Sequence, residues 1–266
     1  MRLNLFLACV VLAFIFGPAN AAAIRNTNLF NDYALSANDD DSTDVIDIGF
    51  NIDFYSIKNR SHLYVNNNGN ITFFDQLNTF SPLGILNNSF PIIAPFFADV
   101  DTRGRNSSVV HYGTDMISGH KVFGVNWINV GYFNSASNKL NSFQLILTDR
   151  AETGTGNFDM EFNYDQILWE SGSASGGING LGGSTATVGF SDGAGNDFEF
   201  PGSRKTRAFL DSSSTGLING RRNSDVNGRY IFNVRNGQVT QIPEPTTFAL
   251  LSVGLLATFA TRRKKA

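Results

Sequence analysis

"SHLYVNNNGNITFFD", residues 61–75, decides the fold class. Leu63 and Val65 share one side of an alternating run, and Ile71 and Phe73 resume the alternation beyond it. Between them, three asparagines and Gly69 form the turn. Asparagine and glycine tolerate the positive φ that tight hairpin turns demand, so the stretch reads as a β-hairpin. The same period recurs downstream. In "VFGVNWINVGYF" (122–133), Val125, Trp127 and Asn129 oppose Asn126, Ile128 and Val130. "NSFQLILTD" (141–149) puts Phe143, Leu145 and Leu147 on one face, and "FDMEFNYDQILW" (158–169) does so with Phe158, Met160, Phe162 and Tyr164. "TATVGFSDG" (185–193) and "GRYIFNV" (228–234) complete the set. Short strands with regular turn signals, and no strand–helix rhythm, predict an all-β chain built as an antiparallel β-sandwich or barrel-like domain.

Composition agrees. The chain has 24 Phe and 26 Gly, and only 16% of its residues are charged. Phenylalanine suits strands, and glycine with asparagine suits turns. The net charge of −3 and the lack of a basic stripe exclude a nucleic-acid partner. "ESGSASGGINGLGGS" (170–184) is too poor in apolar residues to pack and contains no phosphate-binding loop, so it reads as an exposed loop.

Both ends differ from the middle. Residues 1–23 have an early Arg2, an apolar stretch from Leu3 to Phe16 and the breakers Gly17 and Pro18. Small residues at Ala19, Ala21 and Ala23 follow, the pattern of an export signal cut after Ala21 or Ala23. Cys9, the single cysteine, leaves with that signal, so the remaining chain folds without disulfides. At the other end, residues 237–266 carry Pro243-Glu244-Pro245, an apolar run over 246–261 and then Arg262, Arg263, Lys264 and Lys265. As a helix that run reaches about 24 Å, slightly short of the ~30 Å hydrocarbon core of a bilayer. It predicts a short transmembrane helix with a cytoplasmic basic stop. The all-β region lies between, over 24–236.

Candidates for chemistry are few. His62, His111 and His120 have no metal-binding spacing, and no G-x-S-x-G elbow is present. Two acidic clusters stand out, "NDDDSTD" (38–44) and "ADVDTR" (98–103). Alternation places Asp99 and Asp101 on one strand face or loop edge, the kind of oxygen pair that calcium uses as part of six to eight ligands. The plainer reading pairs Asp101 with Arg103 and leaves Asp39 to Asp41 as a solvated loop. Asn-x-Ser/Thr matches occur at Asn59, Asn70, Asn87 and Asn106, frequent by chance in an asparagine-rich chain.

Two resemblances add to this reading. "FPIIAPFFADVDTRGRNSSVVHYG" (90–113), followed in order by the strand motifs above, resembles the nidogen-like (NIDO) domain, with its core over about 90–234. That resemblance implies an extracellular all-β module of cell–matrix adhesion, without catalytic residues. The chain lacks the cysteine-rich modules that accompany the domain in animal matrix proteins, which puts a basement-membrane role in doubt. The Pro-Glu-Pro tail looks like a PEP-CTERM sorting signal, which implies an exosortase as partner and a link to exopolysaccharide and biofilm. Together they lead to an exported bacterial surface or matrix protein, not an enzyme, that binds a polysaccharide or another matrix protein. Trp127, Tyr132 and Trp169 are candidates for sugar stacking, although aromatics at strand spacing are more often core. A secreted glycan-acting hydrolase and a structural matrix component without a ligand are the alternatives.

Overall fold

The computed structural model describes residues 22–82 and 84–240. Ala19, Ala21, the Pro-Glu-Pro motif, the expected helix over 246–261 and the basic stop lie outside the described residues. Among the described residues, no helix is long and apolar enough to cross a membrane.

The chain runs through β1 (Tyr33–Ala34), β2 (Ile46–Phe54), β3 (Ile57–Asn66), β4 (Asn70–Thr72) and β5 (Pro91–Phe97). β6 (Val100–Asp101), β7 (His111–Ile117), β8 (His120–Tyr132), β9 (Ala136–Asp149) and β10 (Phe158–Gln166) follow. β11 (Thr187–Asp192), β12 (Asp197–Glu199), β13 (Arg229–Arg235) and β14 (Gln238–Val239) complete it. One sheet has the order β1-β7-β8-β9-β10-β13-β14, with β6 paired to β8. The other has the order β12-β11-β5-β4-β3-β2. The strand pairs are antiparallel, so the architecture is the expected sandwich.

The apolar faces meet between the sheets. Leu63, Val65, Ile71 and Phe73 enter this core from the opening hairpin, and Phe143, Leu145, Leu147, Phe158, Met160 and Phe162 enter from the facing sheet. Trp127 stacks on Phe143 with centroids 5.2 Å apart, and Phe96 meets Trp169 edge-on at 5.8 Å. Such pairs add roughly 0.5–1.5 kcal/mol each beyond burial. Trp127 and Trp169 are fully buried and Tyr132 is 4% exposed, so these rings are core and not a sugar platform.

Two further expectations change. The alternation of β8 breaks at a bulge between Trp127 and Val130, where Asn129 takes φ +55°. The extra residue shifts the period, so Val130 joins Trp127 in the core instead of opposing it. The glycine-rich stretch is not simply exposed: Glu170, Ser171 and Ser175 are buried. Its small residues let backbone approach the sandwich closely instead of looping free.

The outer face of β10 is also covered. Asp159 and Glu161 alternate with the core residues of that strand, yet both are buried. Arg150 and Arg235 bind Asp159, and Arg25 grips Glu161 with two bonds of 2.8 Å. Phe30 packs with Val122 and Ile146 on the same outer side. The segment before β1 therefore lies across the sheet and is part of the domain.

Candidate functional site, an acidic corner between the sheets

The hairpin turn is the first component. Asn66, Asn67, Asn68 and Asn70 are all buried, which is unusual for a turn. Their amides act as internal connectors. Asn67 Nδ2 donates to the carbonyls of Asp39 (2.6 Å) and Val100 (2.7 Å), while Trp127 Nε1 donates to the carbonyl of Asn67 (3.0 Å). Asn68 donates to Asp40 Oδ1 (2.8 Å) and accepts from the Val100 amide (2.8 Å). Asn70, one of the glycosylation matches, donates to the carbonyl of Asn68 within this enclosed turn.

The second component is the step from β5 to β6. β5 belongs to one sheet and β6 pairs in the other, so Ala98 and Asp99 lie where the chain changes sheets. The third is the loop over 38–41, held by reciprocal bonds between Asn38 and Thr102 (2.8 and 3.0 Å). These contacts bring both acidic clusters together. One carboxylate oxygen each from Asp39, Asp40 and Asp99 lies within 4.8 Å of the others.

Asp101 does not join them. Arg103 donates to it through its backbone amide (2.9 Å), Nε (2.9 Å) and Nη2 (2.6 Å), and the Ser135 amide donates a further bond (2.7 Å). Burial alone would raise this carboxyl, but those bonds outweigh it and hold the group below its usual value. Asp99 and Asp101 thus do not share a face: the chain turns between sheets there, so strand alternation does not apply, and Asp99 instead lies beside Asp39 and Asp40.

Asp99 is in the opposite condition. It is fully buried, accepts one bond from Ser175 Oγ (3.2 Å), and its Oδ1 has no partner. Gly172 closes over it so tightly that a Cβ there would stand 2.2 Å from Oδ2. Burial, with added repulsion from Asp39, Asp40 and Asp101, pushes Asp99 up to about 7 despite the Ser175 bond. Asp39 is raised to about 6 by burial and its acidic neighbours, although Arg103 lies 2.9 Å from its Oδ2. The buried Oδ1 of Asp39 and Oδ1 of Asn67 are also without partners. The arrangement is a set of oxygen donors with unspent capacity.

The histidines stay apart from this corner. His62 meets Ser61 Oγ, His120 lies 3.7 Å from Glu152, and His111 is half-buried on β7. Beside the corner, Tyr33 and Tyr112 stack at 5.6 Å on the open edge of a groove of about 580 Å³. Ser36, Asp41, Asp44 and Asp47 line it, and Tyr33 is 63% exposed. No sequence period marked this pair, because Tyr33 sits on a two-residue strand and meets Tyr112 only through cross-strand register.

Comparison with known proteins decides the relationship. The family described as "Nidogen-like domain" matches residues 61–236. The chain belongs to the nidogen-like domain family. A PEP-CTERM protein-sorting motif matches residues 241–264, beyond a gap of four residues. The chain is 32% identical over 238 residues to alpha-tectorin of Mus musculus, covering 79% of this chain and 10% of that protein. It is 29% identical over 179 residues to nidogen of Drosophila melanogaster, covering 58% of this chain and 12% of that protein. The chain therefore spans about a tenth of the length of these curated relatives. No solved structure matches it.

Proposed function

We infer that this is an exported surface or matrix protein whose sandwich binds an extracellular polysaccharide, with delivery through an exosortase and a setting in biofilm. The observation that carries the reading is a nidogen-like domain followed four residues later by a PEP-CTERM motif. The sandwich supplies a rigid display surface, and the motif supplies the route. Polysaccharide is favoured over a protein ligand by the Tyr33–Tyr112 stack beside carboxylates and a hydroxyl. Flat aromatic faces suit sugar rings, and polar rims suit their hydroxyls. A hydrolase has less support. Asp99 carries the raised carboxyl a general acid needs, yet Gly172 and Ser175 enclose it away from any substrate.

The described N-terminal residues favour export cleavage after Ala21. Ala23 is 4% exposed, and the amides of Ala23 and Ile24 donate to Asp165 Oδ1 (2.8 and 3.1 Å). Arg229 donates to the carbonyls of Ala22 and Ala23. Cleavage after Ala23 would remove both residues from this clasp.

Intact mass measured in cells with and without their exosortase tests both ends. The expected product begins at Ala22 and lacks its C-terminal tail only when the exosortase is present. A tail retained in both strains would overturn the sorting reading, and a start at Ile24 would overturn the cleavage point. Release of reducing sugar from the cell's own polysaccharide would replace the binding role with an enzymatic one.

A further inference from the structure

We propose that Asp39, Asp40 and Asp99 bind one Ca²⁺ ion that pins the N-terminal loop to the corner where the chain passes between sheets. Calcium–oxygen bonds of roughly 2.3–2.6 Å place ligands on opposite sides of the ion about 4.8 Å apart. The three carboxylate oxygens lie within 4.8 Å of one another, a spacing that a shared ion needs only a small closing movement to bridge.

A second observation points the same way. Asp99 is fully buried and faces into the cluster, and its Oδ1 has no hydrogen-bond partner. An unpartnered carboxylate oxygen in a closed site is strongly disfavoured without a proton or a cation. Arg103 does not supply that cation, because its bonds go to Asp101 and Asp39 Oδ2. Ser175 offers a neutral hydroxyl only.

The donor set selects the metal. The cluster consists of carboxylates, with buried Asn67 Oδ1 free at the same junction, and contains neither histidine nor cysteine. Oxygen donors of this kind suit hard cations, not zinc or copper. They come from a loop, a crossing between sheets and a turn, an irregular cage that fits the flexible six-to-eight coordination of calcium. Magnesium instead demands near-ideal octahedral geometry and gives up water reluctantly. Bound calcium would complete its shell with water.

The consequence is mechanical. Asp39 and Asp40 belong to the segment before β2, and Asp99 to the link between β5 and β6. The ion would join them across the end of the sandwich next to the Tyr33 groove, tying display of that face to extracellular calcium.

The exported chain is stripped with EDTA, dialysed, and followed by thermal unfolding and calorimetry as CaCl₂ is added. The expected rise in midpoint is about 5–10 °C at a calcium concentration a hundredfold above Kd. Magnesium at the same concentration should give a smaller rise. Asp99→Asn and Asp40→Asn should each weaken calcium binding at least tenfold, whereas the exposed Asp225→Asn should keep the parental response. Asp40→Asn guards against misfolding of the buried variant, because its amide oxygen can still accept from Asn68. A midpoint indifferent to EDTA and Ca²⁺, or parental affinity in both Asp99→Asn and Asp40→Asn, would overturn the proposal. Equal responses to Ca²⁺ and Mg²⁺ would overturn the choice of calcium.

Discussion

Asp99 and Asp101 sit two positions apart, both fully enclosed, and their surroundings drive them in opposite directions. Both are opposed by burial; the donors and charge of Arg103 lower Asp101, whereas Asp99 has one hydroxyl donor and acidic neighbours. Asp192 is a second case of a carboxylate held by donors. Burial opposes its ionisation, but Asn196, Ala194 and Ser56 donate to it and lower it to about 2, against an ordinary value of 3.8. Because the folded value is depressed, this stabilisation is complete above pH ~4 and disappears as pH falls from ~4 through ~2. The predicted contribution at neutral pH is about 2 kcal/mol. Urea unfolding as a function of pH should show the loss, and Asp192→Asn should flatten that part of the profile. At this scale the sequence was partly legible. It placed Asp101 with Arg103 as one reading, but Asp99 and Asp39 meet only because distant loops converge.

Among the elements, the hairpin of β3 and β4 carries the most information. Its strands and facing residues follow from the alternation of Leu63, Val65, Ile71 and Phe73, and the register pairs Val65 with Ile71. Its burial does not follow from that pattern. Gly69 adopts φ +75°, and an added Cβ would stand 1.9 Å from the Phe96 carbonyl oxygen. Gly69→Ala is therefore expected to destabilise the fold by about 3 kcal/mol or more, through strain and a backbone clash together. Gly119, in the turn before β8, has φ +84° but open space around it. Gly119→Ala should show the strain alone, at about 1 kcal/mol. Equilibrium urea denaturation of the two variants separates the effects, and equal losses would contradict the clash. The bulge at Asn129 was hidden for a related reason. One inserted residue leaves composition unchanged while moving the later side chains of β8 to the opposite face.

For the whole molecule, the proposed polysaccharide-binding role needs a face that the buried aromatics do not supply. The rings expected to meet sugar are core, and the stack that reaches solvent is exposed Tyr33 on half-buried Tyr112. Tyr33→Ala should reduce retention on the cell's own exopolysaccharide about fivefold while leaving the thermal midpoint within a few degrees, since an exposed stacking contact contributes roughly 1 kcal/mol to binding. Pull-down on isolated polysaccharide with parent and variant measures this. Unchanged retention would move the binding face elsewhere.

Local pattern alone determined the all-β class, the facing residues of β9 and β10, and the motif order shared with the nidogen-like family. The sorting motif was equally legible, because an export enzyme reads short linear signals. These features depend on neighbours along the chain, with period two setting which side chains share a face. The tertiary structure decided the rest. It buried the asparagine turn, placed Arg25 over Glu161 and gathered Asp39, Asp40 and Asp99 at one corner. Each of these depends on residues far apart in sequence meeting in space, and alternation holds no record of which loops converge at the end of a sandwich.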